Sequence, residues 1–126
     1  MNLKIKFPGR LAVNAEYGPF NIETNQDGKT PPPFALFLAS IGTCAGIYVL
    51  GFCQQRGLPT EGLEIDQNME TDPVTRMIKK MTLDIHLPEG FPEKYKGAVI
   101  RSADQCAVKK HLLAPPAFEI NAVIPS

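Results

Sequence analysis

The stretch from Phe34 to Cys53, FALFLASIGTCAGIYVLGFC, runs for twenty residues without a charge. Thr30-Pro31-Pro32-Pro33 stands before it, where threonine can cap and proline is tolerated in the first helical turn. Gln54-Gln55-Arg56-Gly57 follows, and glycine is a natural helix stop. The segment therefore reads as a central helix around which the rest of the chain must be placed. Its length and its small-residue step Gly42-Thr43-Cys44-Ala45-Gly46 would also fit a membrane span. Against that, no basic residue stands close before the run to anchor it, and the remaining segments read as amphipathic strands that need this helix as their core. A helix apolar on every side must be covered on every side, whereas one small sheet covers one. Burial by a second copy of the chain is the expectation that follows.

Working outward, Leu3, Ile5 and Phe7 alternate with polar residues, Pro8-Gly9 breaks the run, and Leu11, Val13, Ala15 and Tyr17 resume the period of two. Phe20 and Ile22 suggest a third strand, closed by the polar turn Asn25-Gln26-Asp27-Gly28. Beyond the helix, Leu63 and Ile65 open a strand, and Met81, Leu83, Ile85 and Leu87 alternate with Thr82, Asp84 and His86. Pro88-Glu89-Gly90-Phe91-Pro92 is a turn. From Glu93, the spacing of Tyr95, Val99, Ala103 and Cys106 predicts a helix with Cys106 on its buried stripe, continued by a turn through Val108 and Leu112. After Ala114-Pro115-Pro116, the alternation of Phe118, Ile120, Ala122 and Ile124 predicts a last strand. The predicted order is βββ-α-ββ-α-β: an α+β fold of antiparallel strands around a long buried helix, forming one domain over residues 1–126.

Thirteen basic and thirteen acidic residues give zero formal net charge, so no field recruits nucleic acid or an anionic membrane. Met1-Asn2-Leu3-Lys4 does not open a secretory signal, and the expected location is the cytoplasm. Three widely spaced cysteines do not make a disulfide framework, and a reducing compartment would keep them as thiols. No C-x-x-C occurs, and His86 and His111 stand in unrelated segments, so no metal site is expected. Both histidines, like Lys79-Lys80 and Lys109-Lys110, read as solvated groups.

The thiols remain as the candidates for chemistry. Cys44 and Cys53 are nine residues apart on one helix, which places them on opposite faces with about 13.5 Å of helix between them. They cannot pair, so an intrachain bridge would join Cys106 to either Cys44 or Cys53, and geometry alone does not choose. Cys53 reads as a small core hydrophobe.

The stretch PPPFALFLASIGTCAGIYVLGFCQQRGL, followed some sixty residues later by IRSADQCAVKKHL, resembles the osmotically inducible protein C (OsmC) and organic hydroperoxide resistance (Ohr) superfamily. The pattern is a proline (Pro33), a helix with a cysteine near its middle (Cys44), and a second cysteine in a run like A-x-x-C-x-V (Ala103 to Val108). The resemblance implies an intertwined homodimer with active sites at the subunit interface. It implies a peroxidatic thiol at Cys44, a resolving thiol at Cys106, and an arginine, Arg10 in the Pro8-Gly9-Arg10 turn, that activates the thiolate. The implied activity is reduction of an organic hydroperoxide, recycled by a dithiol reductant and needing no cofactor, in a stress response. Chemically the set is coherent, because the thiolate is the nucleophile and a nearby cation favours it. Guanidinium also presents a fork of donors to sulfur and peroxide.

Two positions depart from the family pattern. Phe34 stands where hydroperoxide-reducing members carry a glutamate that orients the arginine, and Ala107 stands where many members have proline. Without the carboxylate, either another acid substitutes or the thiolate is poorly activated. The alternative reading is accordingly a non-enzymatic binding domain that keeps the fold and its apolar pocket.

Overall fold

In the computed structural model, which describes residues 1–125, the N-terminal alternation forms three strands: β1 (Lys4–Gly9), β2 (Ala12–Tyr17) and β3 (Phe20–Thr24). They pair as an antiparallel meander with Ile5 opposite Ala15 and Ala15 opposite Ile22, so the apolar positions of all three strands fall in one cross-strand row. The Thr24 hydroxyl donates to the Val13 carbonyl, and the Tyr17 and Phe20 rings stack across the second turn at 5.9 Å. This sheet belongs to a compact unit, Met1–Ser40, that also contains the first residues of the long helix.

The helix α1 spans Pro33–Gln55. Its start matches the proline-rich reading: the Pro32 carbonyl accepts from Ala35 N–H at 3.0 Å, and the prolines occupy positions whose missing donors cost nothing. At the other end the chain turns at Gly57, whose φ of 64° disfavours a residue with a Cβ, and Leu58 N–H closes back on the Cys53 carbonyl at 2.9 Å.

The second compact unit runs from Ile41 onward. In it β4 (Glu64–Thr71) and β5 (Ile78–His86) form an antiparallel hairpin, with Ile65 opposite Ile85 and Met69 opposite Met81. The alternation of β5 appears as expected: Met81, Leu83 and Ile85 are half-buried, while Lys80, Thr82 and Asp84 are exposed. His86 lies on the wet face and pairs with Asp66 at 2.9 Å. Beyond a single 3-10 turn, Glu93–Tyr95, the helices α2 (Lys96–Ala103) and α3 (Ala107–Leu113) follow.

The core is small and centres on Val49, Cys53 and Val99, packed by Phe52, Leu63, Ile85, Leu87, Phe91 and Ala103. On α1 the buried residues are Ile41, Ala45, Val49 and Cys53, a strict four-residue spacing that marks one stripe. At Gly42 the Gln67 side-chain amide of β4 occupies the space where a Cβ would stand. The rest of the helix surface is open within one chain, Ile47 being 61% exposed.

Two expectations need correction. The helix predicted from Glu93 is broken: α2 stops at Ala103, and Cys106 sits between helices rather than on a helical stripe, although it is buried as expected. The break arises where Gln105 N–H closes on Ser102 and Cys106 N–H on Ala103, i to i+3 bonds that tighten the end of α2. The last strand of the predicted βββ-α-ββ-α-β order is not formed, and residues 114–125 carry no regular secondary structure. Phe118, Ile120, Val123 and Ile124 do carry the apolar side chains of such a strand, but they stand exposed, Ile120 at 93%. A strand needs an edge to pair with, and among the described residues none receives the segment.

Val49→Ala should lower the free energy of unfolding by about 2 kcal/mol, because the residue is fully buried at the centre of the core and truncation loses both transfer energy and packing. Denaturant titration measures this directly, and an unchanged midpoint would show that the stripe is not the core.

Candidate functional site

Cys44 lies on α1 one residue before Ala45 of the buried stripe, so it is turned about 100° away from the core and remains half-buried. Cys106 approaches from the segment between α2 and α3 and is 1% exposed. Its backbone, at φ −49° and ψ 121°, leaves helical space, and its sulfur caps α3 by accepting the Lys109 N–H at 3.4 Å. The Cys106 thiol also reaches the Ile41 carbonyl, three residues before Cys44 on the same helix, at 3.8 Å. The two thiols are thereby brought close enough for each to influence the other's acidity. Cys53 is fully buried in the core, two and a half turns of α1 beyond Cys44.

The surroundings divide the thiols by acidity. For Cys44 the leading influence is the Val108 N–H, which donates to the sulfur and lowers its pKa below the ordinary thiol range. Partial burial opposes this, and the Cys106 thiol and the Ala107 N–H add to it, since each stabilises the anion by donating to it. Cys106 moves the other way: burial raises it first, and contact with Cys44 raises it further, against the Lys109 N–H. Burial alone raises Cys53. One thiol is thus set to ionise while its neighbour keeps its proton.

Beside Cys106 lies a cavity of about 410 Å³, walled by Ile41 and Ala45 of α1, Leu83 and Ile85 of β5, Ile100 of α2, and Cys106 itself; Cys44 does not line it. Its charged groups, Asp104 and Lys109, pair with each other, so the lining presents no unbalanced charge. Such a cavity suits an apolar ligand.

Arg10 occupies the β1–β2 turn of the other compact unit, exposed and at a left-handed φ of 52°, a conformation few residues other than glycine adopt. Among the described residues no group of three or more His, Cys, Asp or Glu side chains could hold a metal. The main-chain donors of Val108, Ala107 and Lys109 were not foreseen from the sequence. Backbone N–H groups leave no composition signal, and the one available clue was alanine, which has an N–H, at the position after Cys106.

Because Cys44 is lowered and partly exposed while the other two thiols are raised and buried, iodoacetamide should modify Cys44 first in the native protein, with a pH midpoint below that of a free thiol. Peptide mapping of the alkylated cysteines checks the order. Equal rates at the three positions would overturn the division.

A model of the OsmC-like protein family matches residues 26–121. Among curated proteins, none matches this sequence. Solved structures with the same fold include a hypothetical protein from Aquifex aeolicus VF5, 14% identical, with a TM-score of 0.73 over 90% of this chain and 87% of that one. A candidate osmotic stress induced and detoxification response protein from Psychrobacter arcticus 273-4 is 19% identical, with a TM-score of 0.67 over 87% of this chain and 86% of its own. An OsmC-like protein from Mycoplasma pneumoniae is 15% identical, with a TM-score of 0.65 over 90% and 87% of the two chains. With the family match covering most of the sequence, and with an α+β arrangement of antiparallel strands and a long helix shared by these structures, the chain belongs to the OsmC-like family.

Proposed function

We propose that this protein is a thiol-dependent peroxidase that reduces organic hydroperoxides in a detoxification or stress response. The observation that carries the reading is the unlike pair of thiols: Cys44 half-buried and acidified, and Cys106 buried, near enough to influence it and holding its proton. The Cys44 thiolate attacks the outer oxygen of the hydroperoxide; the O–O bond breaks, the alkoxide takes a proton and leaves as the alcohol, and Cys44 becomes a sulfenic acid. The Cys106 sulfur then attacks the Cys44 sulfur and expels water, forming a disulfide. A dithiol reductant returns both cysteines to thiols and is itself oxidised to a disulfide. Arg10 is proposed as the cation that favours the thiolate and engages the peroxide. The apolar cavity favours a substrate with an alkyl or aryl body, and no cofactor enters the cycle.

The working unit is proposed to be a homodimer in the cytoplasm. Within one chain the open face of α1, the sheet residues Leu3, Ile5, Phe7 and Phe20, and the C-terminal residues Phe118 and Ile120 leave more apolar surface uncovered than an isolated soluble domain ordinarily exposes. Although α1 is long and apolar enough to cross a membrane, its stripe is packed in the core of the chain. A second reading, an OsmC-fold binding domain without peroxidase chemistry, is favoured by one observation: Phe34 stands where the family pattern has the glutamate that orients the arginine.

With a dithiol present, the purified protein should consume cumene or tert-butyl hydroperoxide, and Cys44→Ser should abolish turnover because a serine hydroxyl stays protonated. Cys106→Ser should leave one stoichiometric oxidation of Cys44 while slowing recycling. Because the carboxylate partner is replaced by Phe34, wild-type activity should fall well below that of glutamate-containing relatives. Failure to consume any hydroperoxide, with Cys44 no more reactive than a free thiol, would hand the protein to the binding-domain reading.

Sedimentation without detergent should return a dimer at micromolar concentration. A well-behaved monomer, or dependence on detergent, would remove the soluble-dimer proposal.

A further inference from the structure

Cys106 lines the cavity of about 410 Å³ and Cys44 does not, so a molecule held there is recognised by groups other than the candidate nucleophile. The volume lies toward the lower end of the range for small-molecule sites, which suits one chain or ring rather than a large ligand. Ile41, Leu83 and Ile85 supply its more buried wall, where water finds few hydrogen-bond partners. Ile100 and Leu112 line it while standing 58% and 46% exposed, so an occupant covers apolar surface that the chain leaves wet. Asp104 and Lys109 also line it and are themselves partly exposed, which puts their ion pair where the cavity meets solvent. That pair decides the polar end of a ligand. A carboxylate beside it meets Asp104 as a like charge, and an ammonium meets Lys109 as one. A hydroxyl meets neither objection, because it accepts from the lysine and donates to the carboxylate at once.

We propose that this cavity is a binding site for an uncharged amphiphile, a single alkyl or aryl body ending in a hydroxyl, with the body against α1, β5 and α2 and the hydroxyl between Asp104 and Lys109. The inference goes beyond the peroxidase reading. It names the ligand class for a binding domain as well, and the alcohol released by peroxide reduction falls in the same class. Apolar burial supplies the affinity, and the ion pair supplies the preference. With both partners in place the pair balances its own charge, so a charged head gains one attraction and one repulsion. Removing either partner leaves the other to recruit the opposite charge.

The test is calorimetric titration of the full-length protein, at low salt, with octanol, octanoate and octylamine. Octanol should bind, with a Kd roughly three- to fivefold below those of the two charged probes, the effect expected of a partly exposed charge. Asp104→Asn should turn the preference to octanoate and Lys109→Gln should turn it to octylamine; both side chains are partly exposed, so neither change threatens the fold. Ile100→Glu, also at an exposed position, puts a charge in the apolar wall and should weaken octanol binding about tenfold. Absence of octanol binding would overturn the proposal, and so would binding that Ile100→Glu leaves unaltered, because the probe would then sit elsewhere on the uncovered apolar surface. Equal affinity for the three probes in the wild type, or preferences unmoved in the two ion-pair variants, would do the same. A second copy of the chain is the rival occupant: octanol that binds only by dissociating a dimer, seen by sedimentation, would give the cavity to that copy. Since no peroxide enters the assay, a protein that binds octanol as expected but turns over no hydroperoxide would count against the peroxidase reading alone.

Discussion

Along α1, burial recurs every fourth residue, at Ile41, Ala45, Val49 and Cys53, and the placement of every other group at the site depends on that spacing. A helix turns about 100° per residue, so once this stripe faces the β4–β5 hairpin and α2, the direction of each neighbouring side chain is settled. Cys53 falls on the stripe and becomes core. Cys44 falls beside it, close enough to the interior to meet Cys106 and open enough to remain half-exposed. Gly42 lies beside the same hairpin, where a Cβ would displace the end of the Gln67 side chain.

The chemical difference between the two paired thiols follows from what each meets. Both approach α3, yet Cys44 meets hydrogen-bond donors while only partly desolvated, and Cys106 is shut away from water beside a potential anion. Desolvation penalises the charged form and donors favour it, so the balance tips in opposite directions at the two neighbouring thiols. This asymmetry gives a direction to the proposed cycle: one thiol attacks first, and the other is held in reserve. The adjoining cavity adds an apolar environment in which a charge-poor ligand could lie.

The apolar surface that remains uncovered is as informative as the core. The exposed side chains of β1 and β3, the open side of α1, and the alternating residues 118–124 all carry patterns expected of buried elements, and within a single chain they are not buried. The proposed homodimer would account for all of them together. It would also explain why a last strand legible in the sequence has no partner here: the edge that could receive it would belong to another copy.

The central helix, its proline start and glycine stop, the hairpin of β4 and β5, and the α+β class were legible in the sequence, because each follows from local periodicity and local chain stereochemistry. Helix spacing did not choose between Cys44 and Cys53 as partner for Cys106, although the family resemblance pointed to Cys44. Spacing on α1 places them on opposite faces but does not say which face α3 approaches, and the tertiary packing decides that by bringing Cys106 to Cys44. The break between α2 and α3 was also hidden, since the apolar spacing from Tyr95 to Cys106 suits a continuous helix, whereas the observed turn is closed by main-chain bonds at Ser102 and Ala103 that have no side-chain signature. For the same reason the donors at Ala107 and Val108 appear only in three dimensions. Every residue but proline offers an N–H, and only the fold determines which of them meets a sulfur.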